Sequence, residues 1–348
     1  MEASYGSIAD DGASKRSQLT DLYEEAAVLA SETTKPLTNK PNQHAPQKGV
    51  HLYQFPASFY SCEARLVLEE KGVDYTEHDI CIIAGVFDQY EPEYVRLNPR
   101  CVVPTLCIDG KVTSDAHNIV LHADDFFPQA VKLFPDDDNK DIVKEQFDLA
   151  CSVYVEALTY GEAPGGPKLP WHMRGMMKSN HGKKYNMLKK KLHEHRDDPY
   201  IKACYEGKLA ILTKQIEILD SEKQLSDIVN ATKIIMKQLN KSLIEGPAKD
   251  GGWLCGENYT IADMQWGLTL ARLHMREYSD LLWGDYPANE AYCQKLMARP
   301  AIQKAVVQYQ TTSKIGGLVL RRRVAQSSKK IALLVAAAAL IGIALNRK

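Results

Sequence analysis

Hydrophobic and polar positions change their period near residue 130. Before it the apolar runs are short and often alternate: "GVHLYQF" (49–55), "DYTEHDI" (74–80) and "VPTLCIDGKVTS" (103–114) each read as extended chain. The last run is two strands joined at Asp109-Gly110, a pair that accepts the positive φ values of a tight hairpin. "CEARLVLEEKG" sets Ala64, Val67 and Leu68 on one helical face with Gly72 as its stop signal, and "DAHNIVLHADDFF" predicts a second helix. The irregular stretch 81–100 carries a short helix around Glu91–Leu97. Strand, helix, strand, strand, strand, helix is the order of a small α/β unit over 49–128.

From 138 to 318 the period is helical throughout. "IVKEQFDLACSVYVEAL" predicts one helix, and "GEAPGGPKLPW" (161–171) breaks it with prolines and glycines. The pattern from Tyr200 to Leu243, with Leu209, Leu212, Ile216, Leu219, Ile228, Ile235 and Leu239, is too long for one ordinary helix and predicts a break or a hairpin. "GWLCGENYTIADMQWGLTLARL" supplies a buried helix and "RPAIQKAVVQYQ" one more. At the other end, residues 1–48 are polar with Pro36, Pro41 and Pro46, the composition of a disordered leader.

One run departs from this picture. "KKIALLVAAAALIGIAL" (329–345) contains an uncharged stretch of about fifteen residues, roughly 22 Å as a helix, short of an average bilayer core. Length alone also fits a buried core helix. Basic residues decide between them: Arg321, Arg322, Arg323, Lys329 and Lys330 precede the run, and Arg347 and Lys348 follow it. Charges on both sides suit a short membrane span, because they snorkel to its two faces. Residues 331–345 are therefore expected to form a transmembrane tail anchor.

Composition narrows the function classes. The chain is 45% apolar and 25% charged with a formal net charge of −1, so no global charge calls for nucleic acid. Eight cysteines lie without paired metal spacing, which reads as reduced thiols facing the cytosol. His193 and His195 flank Glu194 and point apart on a helix, so no metal site is expected. The basic stretch 178–196 suits a solvated face or, beside a membrane, an acidic protein or lipid partner.

Four stretches carry candidate chemistry. The turn "QFPASFYSCEARL" puts Ser58, Tyr60, Ser61 and Cys62 at a helix N-terminus, where a hydroxyl could donate to a bound thiolate and activate it. The plainer alternative makes Ser61 the helix cap and Ser58 a loop serine. Pro104 of "VVPTL" opens a strand without an N–H, so it belongs at an edge or in a special turn. With a cis Val103–Pro104 bond, the Val103 backbone could pair with a peptide-like ligand. Ser114 or Asp115 caps the next helix, whose N–H groups could hold a carboxylate. Thr260 and Asp263 form a capping box, a folding device.

Together the α/β unit, "SFYSCEARLVLEEKG", "RLNPRCVVPTL", the helix opening at Asp115 and the later "YTIAD" resemble the glutathione transferase superfamily. That resemblance implies a thioredoxin-like domain at 49–128 and an all-helical domain at 138–318. The insertion at about 160–200 and the basic-flanked tail further resemble the ganglioside-induced differentiation-associated protein family. The implied protein is tail-anchored in the mitochondrial outer membrane, also on peroxisomes, with its body in the cytosol and a role in organelle fission and redox balance. Residue by residue, Ser58 takes the position of the catalytic Ser or Cys, and Val103 and Pro104 hold the cysteinyl part of glutathione. Asp115 and Ala116 stand where a Glu/Gln-Ser pair holds the γ-glutamyl end. Asp115 is one methylene shorter and Ala116 lacks the hydroxyl, which points to weak or absent conjugation. The alternative is an active membrane-tethered transferase for hydrophobic electrophiles, and relatives of this kind commonly form homodimers.

Overall fold

The computed structural model describes residues 36–168, 171–310 and 314–328, with the backbone alone for 171–178 and 310. The α/β unit is a sheet in the order β1-β5-β4-β2-β3. Its strands are β1 (Lys40–Pro41), β2 (Val50–Gln54), β3 (Thr76–Asp79), β4 (Thr105–Ile108) and β5 (Lys111–Thr113). Only β2 and β3 are parallel, and their crossover is α1 (Phe59–Glu70). The β4–β5 turn has φ of 46° at Asp109 and 81° at Gly110, as Asp-Gly requires. A short α2 (Pro92–Leu97) precedes β4, and α3 (Ala116–Leu121) and α4 (Ala123–Phe126) follow β5 as two pieces around His122.

The leader expectation needs correction from residue 36 onward. β1 pairs with β5, Leu37 N–H donates to Ser114 Oγ at 2.8 Å, and Ala45 is buried beneath the sheet. Prolines and polar residues suit a sheet edge as well as a disordered chain, and only the partner strand tells them apart. Residues 1–35 lie outside the described part.

The helical unit contains α5 (Lys140–Cys151), α6 (Val155–Tyr160), α7 (Trp171–Glu194), α8 (Pro199–Asp220) and α9 (Glu222–Glu245). α10 (Ile261–Met275), α11 (Ser279–Trp283), α12 (Pro287–Met297) and α13 (Pro300–Ile302) complete it. The single helix expected over 142–158 is two, because Ser152 Oγ bonds back to Leu149 O at 2.7 Å and the chain turns at Val153–Tyr154. The long 200–243 pattern breaks at Ser221, which ends α8 and caps α9. α10 is the axis of the unit, buried from Ile261 to Leu273. At Gly267 a Cβ would stand 3.1 Å from Ile302 Cδ1, so the missing side chain is what admits the neighbouring helices.

Thr260 and Asp263 form the expected box and more. Asp263 accepts from the backbone N–H of Thr260 and of Leu254, the Thr260 hydroxyl and the Tyr292 hydroxyl, at 2.5–3.0 Å.

Long-range ties join the units at several points. Arg65 of α1 is fully buried: it donates to Gln54 Oε1, to Pro56 O at 2.9 Å and to Ala305 O at 3.0 Å, and stacks on Tyr309. The α7–α8 hairpin packs Leu188, Ile201, Cys204 and Tyr205 on Phe87, Tyr90, Val95 and Cys101, with Tyr205 Oη donating to Tyr90 O at 2.6 Å. Helix α14, over 314–328, lays Leu318 on the α/β unit. There Arg321 pairs with Asp79 at 3.9 Å, Arg322 pairs with Asp88 at 3.0 Å and Arg323 donates to Ala84 O at 2.9 Å, so all three expected flanking arginines are bound to the body. Among the described residues no helix is long and apolar enough to cross a membrane. The expected anchor, 331–345, lies outside them.

Candidate functional site

The turn before α1 assigns its serines the other way round from the plainer reading. Ser58 is the N-cap: its Oγ accepts from Ser61 N–H at 3.3 Å, while Ser61 Oγ accepts from Phe55 N–H at 3.2 Å. Ser58 is buried, 8% exposed, and with its oxygen already an acceptor it has the hydroxyl hydrogen to offer a thiolate. Tyr60 is half-buried, its ring edge-on to His117 at 6.2 Å. It therefore brings a phenol beside the start of α3, which Ser58 does not. Cys62 faces inward and accepts from Arg65 Nη2 at 3.1 Å.

The Val103–Pro104 bond is cis. β4 is an interior strand, between β5 and β2, so Pro104 stands in a special turn at its head and not on an edge. Tyr94 Oη and Asn98 Nδ2 fix that turn. Both donate to Val102 O, at 2.6 and 3.0 Å, and both meet Thr105 Oγ1 at 2.8 Å.

Asp115 caps α3, its Oδ1 accepting from Asn118 N–H at 3.2 Å. Its Oδ2 receives Arg100 Nη1 at 2.5 Å, a partner that sequence reading missed. Burial raises the carboxyl, but the Arg100 guanidinium, His117 and the cap hydrogen bonds outweigh it, and the group sits below its ordinary range. Ala116 is buried and offers no side-chain donor. The preceding hydroxyl, Ser114 Oγ, is fully buried and accepts from Leu37 N–H. A carboxylate beside a guanidinium is nonetheless complementary to an amino-acid zwitterion, the ammonium meeting Asp115 and the carboxylate meeting Arg100. The γ-glutamyl end of glutathione has that chemistry, so these residues fit the ligand through Arg100 rather than through a hydroxyl at 116.

Behind α3 lies a group with no precedent in the motif. Glu63 of α1 is fully buried, and neither carboxyl oxygen has a hydrogen-bond partner. His117 Nε2 stands 3.6 Å away, held edge-on by Phe147 of α5. Burial pushes Glu63 up to about 7, against the pull of His117 and with a small push from Asp115. The signal was in the sequence: Glu63 is four residues before Val67, on the apolar face.

Among the described residues no group of three or more His, Cys, Asp or Glu side chains could hold a metal ion. All eight cysteines are free thiols, and seven are buried.

Residues 52–130 match the family of glutathione S-transferase N-terminal domains and residues 213–306 that of glutathione S-transferase C-terminal domains. Over 310 residues the chain is 25% identical to the human ganglioside-induced differentiation-associated protein 1-like 1, across 84% of this chain and 83% of the relative. The chain belongs to this branch of the glutathione S-transferase family. It is also 28% identical over 290 residues to the 2,5-dichlorohydroquinone reductive dechlorinase of Sphingobium indicum, across 74% of this chain and 82% of the relative. The fold matches Ure2p, solved in complex with S-hexylglutathione, with a TM-score of 0.51 at 15% identity over 75% of this chain and 99% of that one. The family matches leave 131–212, which includes α7 and most of α8, between them.

Proposed function

We propose that this family member binds glutathione on its thioredoxin-like unit and acts at the mitochondrial outer membrane, with weak or absent conjugation. In this reading it regulates network shape, fission and redox balance, with its body in the cytosol and a second population on peroxisomes. The observation that carries the glutathione part is the Arg100–Asp115 pair beside the cis Val103–Pro104 turn. Ure2p, of the same fold, holds a glutathione derivative. The membrane part is supported by the uncharged run 331–345 with Lys329, Lys330, Arg347 and Lys348 around it, and by the human relative. Of the basic stretch 178–196, Lys191 turns inward to Glu91, while Lys183, Lys189, Lys190 and Arg196 face outward, open to an acidic protein or lipid surface. A homodimer is part of the proposal.

Calorimetric titration of the full chain with glutathione tests the binding. Micromolar to low-millimolar affinity is expected, weakened about tenfold or more in Asp115→Ala, which also strands Arg100. No binding at several millimolar would overturn this part. Fluorescence microscopy of the full chain tests the other, and a location away from mitochondria and peroxisomes would sink it.

A second reading is an active membrane-tethered transferase for hydrophobic electrophiles, favoured by the relative named as a dechlorinase of a chlorinated hydroquinone. Ser58 would then donate to the glutathione thiolate. An unchanged conjugation rate in Ser58→Ala would remove Ser58 from that role.

A further inference from the structure

The buried axis of the helical unit carries a row of polar side chains that the protein itself does not satisfy. Gln265, Thr269, Arg272 and Arg276 follow one another a turn apart, so they share one face of α10, with Arg276 as its C-cap. Gln265, Thr269 and Arg272 are 1%, 0% and 4% exposed, and Arg276 is half-buried. Both amide atoms of Gln265, Thr269 Oγ1 and the Nε of Arg272 and of Arg276 are buried, and none has a hydrogen-bond partner.

Two of the four are cations without an anion. Arg272 Nη2 donates to Ala57 O at 3.1 Å, a neutral acceptor, and the guanidinium stands 5.7 Å from the centre of the Phe59 ring. Among the described residues neither Arg272 nor Arg276 forms an ion pair. Glu277, next in the chain, is exposed and forms none either. The negative end of the α10 dipole favours cations in this turn, but it supplies no acceptor for their buried N–H groups. Burying a guanidinium without a counter-charge is costly, and a chain that retains two of them, one turn apart, has a use for an anion there. Ala57 and Phe59 also lie on either side of Ser58, so the row ends at the turn that opens α1.

We propose that Arg272 and Arg276, with the Thr269 hydroxyl beneath them, bind the carboxylate of a small organic acid beside Ser58. Guanidinium forks match the two oxygens of a carboxylate, and the Phe59 ring offers an apolar surface to the rest of the acid. The second ligand of this protein is then an acidic molecule rather than a neutral hydrophobic electrophile. Its place next to a thiol rests on glutathione binding with its sulfur at Ser58, whereas the carboxylate site itself stands on α10 alone.

The test is calorimetric titration of the full chain with benzoate and, separately, with benzamide, its uncharged counterpart of the same shape, at equal ionic strength. Benzoate should bind about tenfold or more tightly than benzamide and raise the melting temperature. Arg276→Gln, at a half-buried position, should melt like the parent and bind benzoate about tenfold more weakly. Arg272→Gln should weaken it as well, but it also frees the Ala57 carbonyl, so Arg276→Gln decides. Asp115→Ala should weaken glutathione and leave benzoate untouched. A protein that binds benzoate but not glutathione would therefore end the glutathione reading and keep this one. Two results would overturn the proposal. One is benzoate binding no tighter than benzamide, which would leave the row to buried water. The other is unchanged benzoate affinity in an Arg276→Gln variant that melts like the parent.

Discussion

Two buried carboxyl groups sit in adjoining helices, and they are satisfied in opposite ways. Asp263 of α10 accepts four hydrogen bonds, tying a cap, the 254 loop and α12 into one node. Glu63 of α1 accepts none, and the His117 imidazole of α3 stands 3.6 Å away. Burial raises both; hydrogen bonds pull Asp263 back, whereas for Glu63 His117 alone opposes the rise. The difference separates a folding device from a group that can gain or lose a proton near neutrality. A fully bonded carboxylate holds structure together, whereas an unpartnered one beside His117 has chemistry to spare.

The largest effect should come from removing the satisfied group. Asp263→Ala leaves the Leu254 and Thr260 amides and the Tyr292 hydroxyl without their acceptor and should cost about 3–5 kcal/mol in urea unfolding. A loss under about 1 kcal/mol would mean that water replaces the carboxylate easily.

Glu63→Gln should do the reverse, and only above a certain pH. Below about 4.5 folded and unfolded chains both carry the Glu63 proton, and ionisation contributes nothing. Between there and about 7 the unfolded chain ionises first, so stability falls as pH rises, then levels above about 7. The other titratable groups facing Glu63 are His117 and Asp115 on α3 and the Cys151 thiol on α5. The variant should match the parent at pH 4.5 and exceed it by roughly 2–3 kcal/mol at pH 8. Equal stability at both would show that Glu63 ionises as freely folded as unfolded.

Ser58→Ala sharpens the contrast at the smallest scale. It removes one cap acceptor from α1 and should cost about 1 kcal/mol. A cost near zero would place the Ser58 hydroxyl outside the folding machinery and leave it to ligand chemistry alone.

What could be read from the chain beforehand was local. The Asp-Gly hairpin, the proline at the head of β4, the cap at Asp115 and the Thr260–Asp263 box all rest on residues within a few positions of each other. The break at Ser221 was legible because helices of forty residues are rare in such folds. What stayed hidden joins distant residues. Arg100 meets Asp115 across the β4–β5 hairpin, Arg65 reaches Ala305, and Tyr205 reaches Tyr90 only once the α7–α8 hairpin packs on the α/β unit. The face singled out for α1 was Ala64, Val67 and Leu68, without Arg65 or Glu63. Yet α1 is covered on both faces, by the sheet unit on one and by α10 and the 300–309 segment on the other, so its charges are buried too.

Helix α14 carries a mechanical consequence. Leu318 is seated on the α/β unit, and Arg321, Arg322 and Arg323 are bound to residues 79–88. A pull on the C-terminal end of α14 would load residues 79–88 before the strands of the sheet.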